Sequence, residues 1–126
     1  MDERYERGLD AYADQLGIAR EDVPGWFAER FGERFAGEAI NAAGGAWSED
    51  CLSLRDRSLV VVAALIAQGG VEPRLRGHVR WAVEHGVTVE QLEALASLLA
   101  VYVGYPRASV GMEVVRDELA RLGARK

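Results

Sequence analysis

Residues 75–92 read LRGHVRWAVEHGVTVEQL, and their pattern decides the fold class. Leu75, Val79, Ala82 and Val83 recur at the spacing of one helix face, and Gly86 stands where a helix closes on a glycine C′ residue. A second helix begins two residues later. Thr88 with Gln91 has the spacing of a capping box, in which a hydroxyl and an amide satisfy orphan backbone donors reciprocally. Val87 with Leu92 has the spacing of a hydrophobic staple, which sets the angle at which the chain enters that helix. A junction this short is expected to make the two helices antiparallel neighbours.

Working outward, Leu92, Leu95, Ala96, Leu99 and Val103 repeat at helical spacing until Gly104 and Pro106. A last helix carries Gly111, Val114, Val115, Leu119 and Leu122 on one face, and the tail from Gly123 to Lys126 is expected to fray. Upstream, Ser53 is an N-cap, with Asp56 three residues on in capping-box position. The segment Leu54 to Gln68 is apolar nearly all round, which predicts a buried central helix. Its Val60-Val61-Val62 run also suits a strand, but the length and the alanines that follow favour helix. Gly69-Gly70 ends it, and Pro73 opens the next helix. In the N-terminal third, Tyr5, Leu9, Tyr12 and Leu16 step as one face up to Gly17. Pro24 opens a second candidate helix with Phe27, Phe31 and Phe35 one turn apart. Gly32 and Gly37 weaken it by roughly 1 kcal/mol each relative to alanine, or else permit another helix to approach. Between Asn41 and Leu52 the Ala-Gly-Gly-Ala-Trp stretch reads as a loop or a broken helix end. The expectation is an all-α single domain over residues 1–126, of about six helices with antiparallel neighbours.

Composition narrows the function. At 126 residues, 49% hydrophobic and 28% charged, the chain suits one globular core. A formal net charge of -5, without a dense basic run, argues against a nucleic-acid partner. The charged Met1-Asp2-Glu3-Arg4 start lacks a signal-peptide pattern, and the apolar run Leu59 to Ala67 is too short to cross a bilayer. Cys51 is the single thiol, so no intrachain disulfide forms and a reducing, cytoplasmic compartment is expected.

The ordered segments resemble the carboxymuconolactone decarboxylase family, within the alkylhydroperoxidase D-like superfamily. Leu54-Arg55-Asp56-Arg57-Ser58-Leu59-Val60 resembles the opening of that family's core helix. Leu75-Arg76-Gly77-His78-Val79-Arg80 and Gly86-Val87-Thr88 resemble its Leu-Arg-x-His-x-Arg and Asn-Asn-Gly-Val-Thr segments. Ala100-Val101-Tyr102-Val103-Gly104-Tyr105-Pro106 resembles the helix end and turn that follow. The resemblance covers residues 52–118. It implies an all-helical fold, assembly into a homo-oligomer (hexamer or trimer), and cofactor-free decarboxylation of a small carboxylated lactone in aromatic catabolism. Such chemistry needs a donor for the charge that develops on the lactone oxygen, a general acid to protonate carbon, and guanidinium anchors for a dianion.

On that basis His78 is the candidate catalytic general acid, because it matches the family's active-site histidine; read without the resemblance, the favoured reading is a core or interface histidine satisfied by a backbone carbonyl. Arg57, Arg76, Arg80 and Trp81 are the candidate substrate-binding residues. The arginines match the family's pattern and either meet substrate carboxylates or bridge subunits, while Trp81, three residues from His78, walls the same pocket. Arg55 reads as an ion-pair residue, and Trp26 and Trp47 as packing residues. His85 lies about 10 Å along the helix from His78, too far to share a metal held by bonds of about 2 Å, and it is expected to meet the helix dipole's negative end. Cys51 reads as a small buried hydrophobe.

Two departures bound the resemblance. The superfamily's dithiol peroxidases need a Cys-x-x-Cys pair before the histidine, and here those positions are Val71 and Arg74, which excludes that mechanism. The decarboxylases' Trp-Gly-Glu-x-Trp segment is matched by Ala43-Gly44-Gly45-Ala46-Trp47, so glycine replaces the glutamate; Glu38 and Glu49 are the acids nearby. Two other readings therefore stand beside the lyase: another small-molecule reaction in the same pocket, such as isomerisation or dehydration, or a non-catalytic oligomer that binds a ligand.

Overall fold

A computed structural model describes residues 2–48 and 51–123, which form seven α-helices and one short 3₁₀ turn. The chain divides into two compact units, Met1–Cys51 and Leu52–Lys126.

In the first unit, α1 (Glu3–Leu16) is capped by Asp2, whose carboxylate accepts from the Tyr5 amide at 2.9 Å. A 3₁₀ turn (Arg20–Asp22) leads into α2 (Val23–Phe31), with Pro24 in its first turn, and α3 (Glu33–Ala46) follows. The single helix expected through Phe27, Phe31 and Phe35 is thus two. Gly32 adopts φ 88°, a conformation that only glycine enters at little cost, and breaks the helix there. Leu9, Val23, Phe27, Ala36 and Ile40 make the core, with Tyr12 packed on Phe27 at a centroid distance of 4.5 Å.

Of the two readings of the Ala-Gly-Gly-Ala-Trp stretch, the helix end is nearer: residues 43–46 form the last turn of α3, which closes at Trp47. The reason is tertiary. A methyl group on Gly44 would overlap the carbonyl oxygen of Arg4, and one on Gly8 would overlap that of Ile40, so α1 and α3 pack backbone on backbone. By contrast, nothing lies within 4 Å of a side chain built on Gly32 or Gly37. The glycines that admit a neighbouring helix are therefore Gly8 and Gly44.

In the second unit, α4 (Leu54–Gln68) is capped by Ser53, whose hydroxyl accepts from the Asp56 amide. It is followed by α5 (Glu72–Glu84), α6 (Val89–Val103) and α7 (Tyr105–Arg121). At the α5–α6 junction the caps are built as the residues require, but the two helices do not pack side by side as so short a connection suggests: α5 lies against α4 and α7, and α6 against α7 and α4. Val87 N–H donates to Ala82 C=O and Gly86 N–H to Val83 C=O, the paired bonds of a Schellman closure, with Gly86 at φ 94°. Both bonds of the Thr88–Gln91 capping box are present, and Val87 and Leu92 are buried in one core. That core joins Val62 and Ile66 of α4, Leu75, Val79 and Ala82 of α5, Ala96 of α6, and Val115 and Leu119 of α7. A methyl on Gly111 would come within 2.6 Å of Ile66, so α7 crosses close to α4 there.

One expectation is corrected in α4. The helix is apolar on most sides but buried along one stripe only, through Arg57, Ser58, Val62 and Ile66; Leu54 and Val60 are exposed. Core contact is made by one face of a helix, whatever its composition elsewhere. No helix among the described residues is long and apolar enough to cross a membrane.

Candidate active site

The face of α5 that packs into the core is set by Leu75, Val79 and Ala82. Helical spacing then puts Arg74, His78, Trp81 and His85 along one flank of that face and Arg76 along the other. The two flanks meet different neighbours, which separates residues that adjacent sequence positions had grouped.

On the Arg76 flank stands α7. Arg76 Nη1 lies 2.5 Å from the Asp117 carboxylate and 3.6 Å from that of Glu118, and Glu118 is also 3.4 Å from Arg121. Arg76 is therefore an α5–α7 tie, drawn away from His78.

On the other flank is a row of rings. Trp81, almost wholly buried, contacts His78 with centroids 6.0 Å apart and His85 with centroids 4.7 Å apart. His85, the C-cap residue of α5, places Nδ1 2.8 Å from the hydroxyl oxygen of Ser58 on α4. Ser58 is itself buried, and Arg57, the residue before it, is buried as well. The row thus runs from the first turns of α4 through His85 and Trp81 to His78.

His78 is half-buried, and its pKa is pushed down to about 4. Loss of hydration is the first cause, because an imidazolium loses more than a neutral ring when water is removed. The positive charges of Arg74 and then Arg80 act in the same direction. At neutral pH the ring is neutral, among cations. Such a site favours an incoming anion twice over: the guanidiniums attract it, and its charge restores the imidazole's affinity for a proton.

Of the other candidates, Arg55 pairs with Asp56 at 3.4 Å, as the ion-pair reading expects. Trp26 packs edge-on to Phe27 at 5.0 Å and carries the Arg30 guanidinium 3.9 Å over its ring, and Trp47, half-buried, is the C-cap residue of α3. Cys51 is exposed, not a buried hydrophobe, because it lies outside the helices in the segment before α4. Gly45, at the glutamate position, sits on the last turn of α3, where a Cβ would stand 2.7 Å from Nη2 of Arg4. Glu38 lies exposed on α3, and Glu49 and residues 124–126 are outside the described residues.

Two contacts of this row were not read from the sequence, Arg74 beside His78 and Ser58 against His85. Arg74 sits one turn before His78, a spacing that was legible. Ser58 and His85 are 27 residues apart on different helices, and no local signal joins them.

Comparison with known proteins agrees with this architecture. The sequence profile of the Carboxymuconolactone decarboxylase family matches residues 36–117, from within α3 to within α7. A 4-carboxymuconolactone decarboxylase of Acinetobacter baylyi is 30% identical over 123 residues, covering 97% of this chain and 91% of that protein. A match of that extent, over a fold built wholly of helices with the family's histidine segment on α5, establishes that the chain belongs to the carboxymuconolactone decarboxylase family.

Proposed function

We propose that the protein is a cofactor-free carboxy-lyase acting on a small carboxylated lactone in aromatic catabolism, with His78 as general acid. The observation that carries this reading is the setting of His78, half-buried and acted on by the charges of Arg74 and Arg80, on a chain whose relative bears the decarboxylase name. Arg74, Arg80 and the buried Arg57 supply the positive field for a dianion, and Trp81 fixes the wall against which His78 rests. Arg76, bound to Asp117 and Glu118, serves the scaffold.

In this mechanism the substrate's carboxylates bind among the arginines, and their charge raises the His78 pKa so that the ring takes up a proton. The bond from carbon to the departing carboxylate breaks, carbon dioxide leaves, and the electron pair moves into the conjugated lactone carbonyl. The imidazolium then protonates carbon and returns to its neutral form. Arginine charge that lowers the histidine pKa in the empty site stabilises the enolate while it exists. The single cysteine fits a reducing compartment, and we place the reaction in the cytoplasm.

The glycine at position 45 supports a second reading, a family member that runs isomerisation or dehydration in the same pocket, because the acid carried by its decarboxylases is replaced. Assay of carboxymuconolactone decarboxylation with wild type and His78→Ala separates the two. The lyase reading expects wild-type turnover and a fall of about 10²–10⁴-fold in the variant, the usual worth of a positioned general acid. Turnover that survives loss of the imidazole removes the role from His78. A folded wild type with no turnover removes the lyase reading in favour of the second.

A further inference from the structure

A cleft of about 520 Å³ opens in the second unit, away from the His78 row, where the end of α4 meets the starts of α5 and α7. Neither His78 nor Trp81 lines it. Its volume falls in the range of small-molecule sites, about 300–1,000 Å³. Leu65, Ile66, Leu75 and Val110 make an apolar wall, and two charged groups stand in it, Arg107 and Glu72.

The two charges are not equivalent. Arg107 turns Nη1 back onto the end of α4, donating to the carbonyls of Ala67 at 2.8 Å and Gln68 at 2.6 Å. Those bonds take both Nη1 hydrogens and hold the guanidinium in one orientation. The Nε–H and the two Nη2–H groups have no acceptor among the described residues. Nε and Nη2 form one edge of the guanidinium fork, the geometry that binds a carboxylate through two parallel hydrogen bonds. The α4 carbonyls, which would otherwise repel an anion here, are already occupied. Gly69 leaves the room: a Cβ on it would come within 3.1 Å of Arg107 Nε. Glu72, in contrast, accepts from the Gly70 amide at 3.1 Å and adds one fixed negative charge to the cleft.

We propose that this cleft is a second small-molecule site, which takes a compact apolar monocarboxylate with its carboxylate forked onto the Nε–Nη2 edge of Arg107. The hydrocarbon body lies on Leu65, Leu75 and Val110, and Glu72 rejects ligands with a second carboxylate. The site thus selects against the dianion that the arginines around His78 would attract. The proposal does not depend on the assignment of His78.

Titration of the labelled protein with benzoate, benzamide and isophthalate, followed by amide NMR, tests it. Benzoate is expected to bind with Kd on the order of 1 mM and to shift the Gly69, Gly70, Val110 and Gly111 amides. Benzamide and isophthalate should bind at least about tenfold more weakly, the worth of one charge-assisted fork. Arg107→Met should cost benzoate a similar factor. Val110→Trp, at a position 45% exposed, should fill the cleft and abolish the shifts while the rest of the amide spectrum keeps its native dispersion. Glu72→Gln keeps an acceptor for Gly70 and should admit isophthalate, while His78→Ala should leave benzoate binding unchanged. The proposal is overturned by benzoate shifts centred on His78 and Trp81, by benzamide or isophthalate binding as well as benzoate, by Val110→Trp without effect, or by no shifts up to about 10 mM.

Discussion

His78 resists protonation in the folded chain, and that resistance makes stability depend on pH. Its folded pKa of about 4 lies below the ordinary 6.5, so between those values the unfolded chain holds a proton that the native state does not. Stability is then fully present above about pH 6.5 and declines as pH falls towards 4, with up to about 3 kcal/mol at stake. Urea denaturation at steps between pH 7 and 4.5, on wild type and His78→Gln, reads this directly. The wild type should lose more stability on acidification than the variant, and parallel curves would show that burial and the arginines do not act on this ring. The residue also marks how far a sequence reaches. Its place on α5, its match to the family's histidine and the arginines four residues before and two after it were legible, whereas the neutral state follows first from burial, which only the folded chain supplies.

At the scale of elements, local chemistry and tertiary contact divide the work. Capping residues placed the ends of α4, α5 and α6 correctly from sequence, because a cap is satisfied within a few residues of itself. Between a loop and a helix end, the stretch around Gly44 was decided by a helix some forty positions away. Glycine lowers local helix propensity, yet here it lets α1 lie against α3, and Arg7 Nε reaches the Gly44 carbonyl at 3.2 Å. Two substitutions within α3 should accordingly move in opposite directions. Gly37→Ala, with nothing near its Cβ, should stabilise by about 0.5–1 kcal/mol through helix propensity. Gly44→Ala, which must push the Arg4 carbonyl aside, should destabilise by about 2–3 kcal/mol. Chemical denaturation of the pair measures both, and a stabilised Gly44→Ala would contradict the backbone contact.

For the molecule as a whole, the exposed apolar side chains carry the next expectation. Leu98, Val101, Tyr102 and Tyr105, at 61%, 74%, 77% and 76% exposure, follow one another around the α6–α7 junction, and Val60 stands out from α4. Single exposed apolar residues are ordinary, but Leu98, Val101 and Tyr102 share one face of α6 at helical spacing, with Tyr105 opening the next helix, and such a patch is one that association would bury. We propose a homo-oligomer, a trimer or hexamer; light scattering should give that mass, and Tyr102→Glu with Val101→Glu should reduce it. A stable wild-type monomer would rule this out. Sequence by itself determined the helical class, the core stripe of α5 and the family, because periodicity, caps and ordered motifs are local properties of the chain; the buried stripe of α4 and the exposure of Leu122 were not legible there. Tertiary structure alone decided which arginine faces His78 and which is tied to α7, that Ser58 reaches His85, and that Gly44 is helical. The tie of Arg76, the Ser58–His85 bond and the close approach at Gly44 each depend on a partner far away in sequence, because packing acts through space rather than along the chain.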